Sequence, residues 1–361
     1  LGLEDAHGRN VAIGYYALAA LNGGADAYNV AIGYDTGKTV STGASNVLVG
    51  AFAGDAISTG NHNIALGRNA LSAEDAHGYN IAIGGYALLT QDAGSDAYNI
   101  AIGYNSGQAI TTGNYNTLIG GSSGDALTTG ARNIAIGNHA LGAEDAHGRN
   151  VAIGYEALKV QDAGADAYNV AVGYQAGLDL TSGINCVLVG RGAGENVTTG
   201  GTNTCVGAKA GDALTEGSNN IIIGYNAAAS AVDVDNEITL GDSNISAFRC
   251  NDQSIAALSD GRDKSNVKDS EFGLDFIDSI RPVEFTWDYR PENMGVKQGK
   301  KAVGFIAQEL QEAMPNGENE ILDLVYDINE NRIEAKYGNL VPILVKAVQE
   351  LSAKVKMLEN K

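Results

Sequence analysis

The 361-residue chain carries 43 acidic against 23 basic side chains, a net charge of −20, with 48 glycines and an apolar share of 44 %. A field of that sign argues against broad electrostatic binding of nucleic acid or of an anionic membrane, and the ordinary apolar share argues against a disordered chain. No apolar run reaches the length of a bilayer-spanning helix, about 20 residues, so no membrane insertion is expected, and no signal-peptide pattern follows Leu1.

The composition is divided along the chain. All four prolines and the single tryptophan, Trp287, lie beyond residue 280. Residues 1–244 have a net charge of −15 and the remainder −5. Cys186, Cys205 and Cys250 have no metal-ligand spacing and are read as small buried hydrophobes.

The first two thirds are a repeat. The phrase Asn-Val/Ile-Ala-Ile-Gly, as at Asn10–Gly14, Asn80–Gly84 and Asn150–Gly154, closes on glycines spaced 19, 17, 17 and 17 residues apart, three times over, with a final 17. A fixed period of this size marks a coil stacked on copies of itself. In Asn99-Ile-Ala-Ile-Gly103 both faces of the short strand are apolar. One face fills the inside of the coil, and the other needs a partner, which a symmetric oligomer supplies. The closing glycine permits a tight turn. The following Gly-x-x-Ala-Leu or Gly-x-x-Ala-Gly, as at Gly67–Leu71 and Gly173–Gly177, is read as a second short strand or a turn. The recurrent asparagine suits a turn or a side-chain ladder between rungs. These repeats resemble the head repeats of trimeric autotransporter adhesins and the arrays of bacteriophage tail fibres, which implies a trimeric β-roll or slender β-helix.

A 70-residue super-repeat places His7, His77 and His147 in copies of Glu-Asp-Ala-His-Gly. Three such histidines around a threefold axis are a conceivable metal site. Their position in a loop favours a solvated, duplicated turn, and no metal or cofactor is expected. The carboxylates recur with the repeat, so no unique pair for glycan hydrolysis stands out.

After the degenerate phrase Glu237–Gly241 come Ser254-Ile-Ala-Ala-Leu and Ser259-Asp260-Gly-Arg262-Asp-Lys264. Further on stand Ile280-Arg-Pro-Val-Glu-Phe-Thr-Trp287, Val303-Gly-Phe-Ile-Ala-Gln-Glu-Leu310 and Tyr337-Gly-Asn-Leu-Val-Pro-Ile-Leu-Val-Lys346. In this order the motifs resemble the intramolecular chaperone domain of phage tail fibres and tailspikes, an auto-cleaving peptidase family. The resemblance implies trimerisation followed by self-cleavage at the Leu258–Ser259 bond by a Ser259/Lys264 dyad. Asp260 and Arg262 would pair or position the loop. A serine hydroxyl needs an adjacent base, and a lysine serves as one only where burial or neighbouring cations favour its neutral form.

In the tail, 272–280 is predicted as an amphipathic helix, 283–289 as a strand, 304–314 as a helix, and 322–328 with 331–337 as a hairpin. Val341, Val348 and Val355 alternate with Leu344, Leu351 and Leu358 at 3,4 spacing, a coiled-coil seam for trimerisation.

The expected architecture is therefore a mainly β repeat array, then a small α+β chaperone domain ending in a coiled-coil helix. Its parts are a shaft over 1–244, a junction over 245–258 and a chaperone/peptidase domain over 259–361. The expected function is that of a phage tail fibre, made in the host cytoplasm and carried on the virion. Its partners would be two further copies of itself, other tail or fibre proteins, and a host-surface receptor (glycan or protein). A bacterial trimeric surface adhesin and a glycan-depolymerising tailspike are the alternatives.

Overall fold

The computed structural model describes residues 8–23, 26–249, 251, 259–288, 298–314, 319–327 and 333–360. The chain forms two compact units, Leu1–Asp242 and Ser243–Lys361.

The first unit is a β-solenoid. Fourteen three-residue strands, β1 (Val11–Ile13) to β14 (Ile238–Leu240), pair in sequence order into one parallel sheet. Each turn adds one strand, in register with its neighbours: Val11 pairs with Val30 across a 19-residue turn, and Val30 with Val47 across a 17-residue turn. The Gly-x-x-Ala phrases are turns, and the solenoid has no second sheet among the described residues.

The central residue of each strand points inward. Ala31, Leu48, Ala65, Ala82, Ala101 and Leu118 are fully buried. The two turn phrases follow from what these residues leave to fill. After Ala65 and Ala82 the turn supplies Leu71 and Leu88 to the interior. Where the strand centre is leucine, the turns before and after it carry glycine. A Cβ on Gly54 would lie 2.9 Å from Leu48 Cδ2, and one on Gly37 2.7 Å from Leu48 Cδ1. Gly107 and Gly124 flank Leu118 in the same way, as Gly177 and Gly194 flank Leu188. The glycines thus clear the space that each strand leucine fills, as close packing requires.

The repeated asparagine builds the predicted ladder. Asn46 Oδ1 accepts the Asn63 N–H at 2.9 Å, Asn99 Oδ1 that of Asn116 at 2.9 Å, and Asn116 Oδ1 that of Asn133 at 2.9 Å. The Asn116 amide nitrogen donates to the Gly130 carbonyl at 2.9 Å. These asparagines are fully buried, so each satisfies backbone groups that water cannot reach. The strand-ending glycines have φ of +131° to +146° from Gly14 to Gly224. A Cβ on Gly50 would sit 2.6 Å from the Gly67 carbonyl oxygen. Only glycine allows the turns to stack this closely.

The flanking strand residues face outward. With the tyrosines at either end of the strand they form a band, Tyr98-x-Ile100-x-Ile102-x-Tyr104, in which the rings are exposed and the isoleucines half-buried. Tyr28–Tyr34 and Tyr168–Tyr174 repeat it. At about 4.8 Å per strand the band runs for roughly 60 Å.

In the second unit a one-turn 3-10 helix (Gly261–Asp263) precedes α1 (Leu274–Ser279). Strands β15 (Val283–Thr286) and β16 (Lys301–Gly304) pair antiparallel. Helices α2 (Ala307–Ala313) and α3 (Asn319–Leu322) follow. The predicted hairpin is β17 (Val325–Tyr326) with β18 (Glu334–Ala335), and α4 (Leu340–Glu359) ends the unit. The helix expected from 304 begins instead at Ala307, because Lys301–Gly304 pairs with β15. Phe276, Ile280, Leu310, Met314, Leu324 and Ile343 centre its core.

Candidate functional site

Ser259 to Lys264 forms a compact loop. Asp260 caps the 3-10 turn by accepting the Arg262 N–H at 2.9 Å. Its carboxylate also receives the Arg262 guanidinium, with Nη2 to Oδ2 at 2.6 Å. These hydrogen bonds hold the Asp260 carboxyl below the usual carboxylate range. The turn closes with the Lys264 N–H on the Gly261 carbonyl at 3.3 Å. That closure brings the Lys264 ammonium to 2.6 Å from Ser259 Oγ. The two residues expected to act together are therefore in hydrogen-bond contact, and Asp260 and Arg262 fasten each other beneath them. Leu258 lies outside the described residues. Residues 259–271 are exposed throughout in the single chain, including Val267 at 80 %.

The other tail motifs converge on one another. Arg281, from the Ile280-Arg-Pro segment, pairs with Glu309 of α2, with Nε to Oε2 at 3.2 Å. Tyr337 lies over Gly304, where a Cβ would be 2.6 Å from its Oη, and that oxygen accepts the Phe305 N–H at 3.2 Å. The Phe305 and Tyr337 rings stand edge to face at 5.7 Å. The glycine of Val303-Gly-Phe is thus the space in which the tyrosine sits.

The seam residues of α4 are uncovered in the single chain: Val341, Leu344, Val348, Leu351, Val355 and Leu358 are between 44 % and 70 % exposed. The adjoining row, Leu340, Ile343 and Ala347, is buried. Glu350, next to this buried row, accepts the Leu274 N–H at 2.9 Å and so caps α1, whose own N-cap is the side-chain-less Gly273. Sequence reading missed this cap because 76 residues separate its partners.

His77 and His147 lie in solenoid loops beside Glu74 and Glu144. His7 is outside the described residues. Cys186 and Cys205 are buried and free, and burial pushes the Cys205 thiol up to about 12.

Comparison with known proteins identifies the C-terminal segment. A family model described as the chaperone of endosialidase, a peptidase family, matches residues 259–317. Neither the curated proteins nor the solved structures include a match. The C-terminal unit therefore carries a chaperone-of-endosialidase domain. With the many-turned β-solenoid before it, the chain fits a tail fibre or tailspike of that design.

Proposed function

We propose that this protein is a bacteriophage tail fibre component, structural and host-recognising, whose C-terminal domain assembles three chains and then cuts itself away. One observation carries the reading: both units leave an apolar stripe bare in the single chain, the 14-strand band on the solenoid and the seam on α4. A contiguous surface of that kind is normally covered by a partner, and threefold self-association of each unit covers its own stripe.

The order of events follows from the repeat. Successive rungs are nearly alike, so chains pairing directly along the shaft have many wrong registers available. A unique domain that associates first pins the ends, and the solenoids then zip from β14 toward β1. Loss of the domain afterwards leaves a shaft that is slow to unfold and unable to reassemble, which is kinetic stability.

Cleavage uses the Ser259–Lys264 pair. The serine oxygen attacks the carbonyl carbon of Leu258, its proton passes to the lysine amine, and the lysine returns a proton to the departing Ser259 nitrogen. Water then opens the resulting Leu258 ester. Lysine accepts the serine proton only when desolvated. Residues 259–271 are exposed in the lone chain, so assembly supplies the cover, and cutting waits for the trimer. Virion attachment and contact with a host-surface receptor complete the reading.

Native mass and denaturing electrophoresis test it together. A particle of three shafts, with a released 103-residue piece (259–361), is expected. A folded single chain in solution overturns it.

A further inference from the structure

The solenoid buries a set of metal-ligating side chains that the fibre reading does not use. Glu144 is fully buried. One of its oxygens, Oε1, accepts the His147 N–H at 3.1 Å and lies 3.7 Å from His147 Nδ1. The other oxygen, Oε2, has no hydrogen-bond partner, and neither has the buried His147 Nδ1. A buried carboxylate oxygen and a buried ring nitrogen, both without partners, are costly unless something sits between them. Asp145 and Asp162 bring carboxylate oxygens to the same place, and one ligand atom from each of the four residues lies within 4.8 Å of the others.

The arrangement recurs in part 70 residues earlier, where Glu74 Oε2 accepts the Asn80 amide N–H at 3.5 Å. Glu74 is also fully buried, with Oε1 3.7 Å from the unpartnered His77 Nδ1, and Asp92 completes the group. Asp75 is drawn off there by the Ser58 hydroxyl, so this copy has three ligands. Position 128, the counterpart of Ser58, is a threonine that bonds the Asp145 backbone carbonyl instead, leaving that carboxylate free to join the cluster. The first super-repeat carries Asn22 where the others have Asp92 and Asp162.

We propose that Glu144, Asp145, His147 and Asp162 bind a divalent first-row transition cation, and that Glu74, His77 and Asp92 bind a second one more weakly. Three carboxylates with one imidazole suit Zn²⁺ or Mn²⁺ better than the all-oxygen sites of Ca²⁺ or Mg²⁺. Zinc ligands near 2.1 Å stand roughly 3.4 Å apart, so the side chains close in by about an ångström. Glu144, Asp145 and His147 belong to the loop between β8 (Ile134–Ile136) and β9 (Val151–Ile153). Asp162 belongs to the loop between β9 and β10 (Val170–Val172). The cation therefore staples two successive turns and offsets carboxylate repulsion in a strongly acidic shaft. Without it, burial and the surrounding aspartates push Glu74 up to about 7 and raise Glu144 as well, so a proton is the competing occupant.

The test is calorimetric titration of the chelator-treated full chain with ZnCl₂ and with MnCl₂, paired with thermal unfolding. One tight event per chain is expected with at least one of the two cations, followed by a weaker one, and the same cation raises the unfolding midpoint. Asp162 is exposed, so Asp162→Asn keeps the fold. It should weaken the tight event at least tenfold, leave the weaker one, and remove most of the midpoint rise. Glu144→Gln should do the same. Absence of a tight event with either metal, or an unchanged titration and midpoint rise in Asp162→Asn, overturns the proposal. Both readouts concern the solenoid and do not depend on trimerisation or cleavage.

Discussion

Lys264 Nζ donates to Ser259 Oγ at 2.6 Å across a single turn of chain. The contact exists in the exposed single chain, so for the proposed cleavage the geometry is in place and a dry environment is what assembly would add. Ser259→Ala should leave one full-length band on a denaturing gel. Lys264→Met should slow release of the 259–361 fragment by about 10²–10⁴-fold, the range of a positioned general base. Lys264→Arg should be equally slow, because a guanidinium does not deprotonate. Equal processing of all three variants and the parent disposes of the dyad.

That loop was readable from its residues only in part. Ser259-Asp-Gly-Arg-Asp-Lys264 has the composition of an ordinary surface turn, and the later motifs singled it out. The repeat was far more legible, because a three-residue strand every 17 or 19 residues leaves its period in plain view. The asparagine ladder followed from one amide recurring at one place. Two things escaped. Burial of Glu74 and Glu144 depends on loops of adjacent turns meeting in space, which no local pattern encodes. The α1 cap by Glu350 joins positions 76 residues apart.

The asparagine ladder predicts where the solenoid is weakest. Asn116→Ala removes the acceptor of the Asn133 N–H and the donor to the Gly130 carbonyl. It should cost about 1–3 kcal/mol for each buried group left without a partner. Cys186 stands in the ladder column: its N–H reaches Asn169 Oδ1 at 2.8 Å, and its thiol makes the amide's contact with the Gly200 carbonyl at 3.5 Å, as a weaker donor. Cys186→Asn should therefore stabilise the shaft by about 1 kcal/mol, read as a higher thermal midpoint. A lower midpoint would show that the thiol is better packed than the amide.

The buried thiols give a second readout. Cys205 is held protonated, with its thiol pushed up to about 12 by burial, and Cys186 is raised for the same reason. A folded-state thiol raised above the free value of about 8.5 makes stability fall as pH climbs through that window. Site-resolved alkylation at pH 8.5 should leave both residues unlabelled until the shaft unfolds. Rapid labelling of either in the native protein contradicts the burial.

The leucine–glycine exchange between strand and turn predicts coupled substitutions. At Gly124 a Cβ would approach Leu127 Cδ1 to 2.8 Å and Leu118 Cδ2 to 2.9 Å. The equivalent turn positions Leu71 and Leu88 have φ of 51° and 48°, so the backbone itself accepts leucine there. Gly124→Leu alone should overpack the interior, and Leu118→Ala alone should cost about 2–5 kcal/mol through the cavity it leaves. The double variant should recover about 1–3 kcal/mol relative to the sum of the two, measured by denaturant unfolding of all four proteins. Simple additivity would mean that the layers do not share volume.

The seam on α4 separates assembly from folding. Val348 and Leu351 are 65 % and 49 % exposed in the single chain, while Ile343 and Ala347 in the adjoining row are buried in the domain core. Val348→Asp with Leu351→Asp therefore leaves the core untouched and places three pairs of like charges along the proposed axis. Sedimentation of freshly made protein should show loss of the trimer. The released 259–361 fragment should disappear with it, because in the proposed mechanism the neighbouring chains cover Ser259 and Lys264. Ala347→Asp is the contrasting change: it strikes the buried face and should unfold the tail. If the seam variant still cleaves while sedimenting as a monomer, desolvation of the dyad comes from within the chain, and the coupling of cutting to assembly is lost.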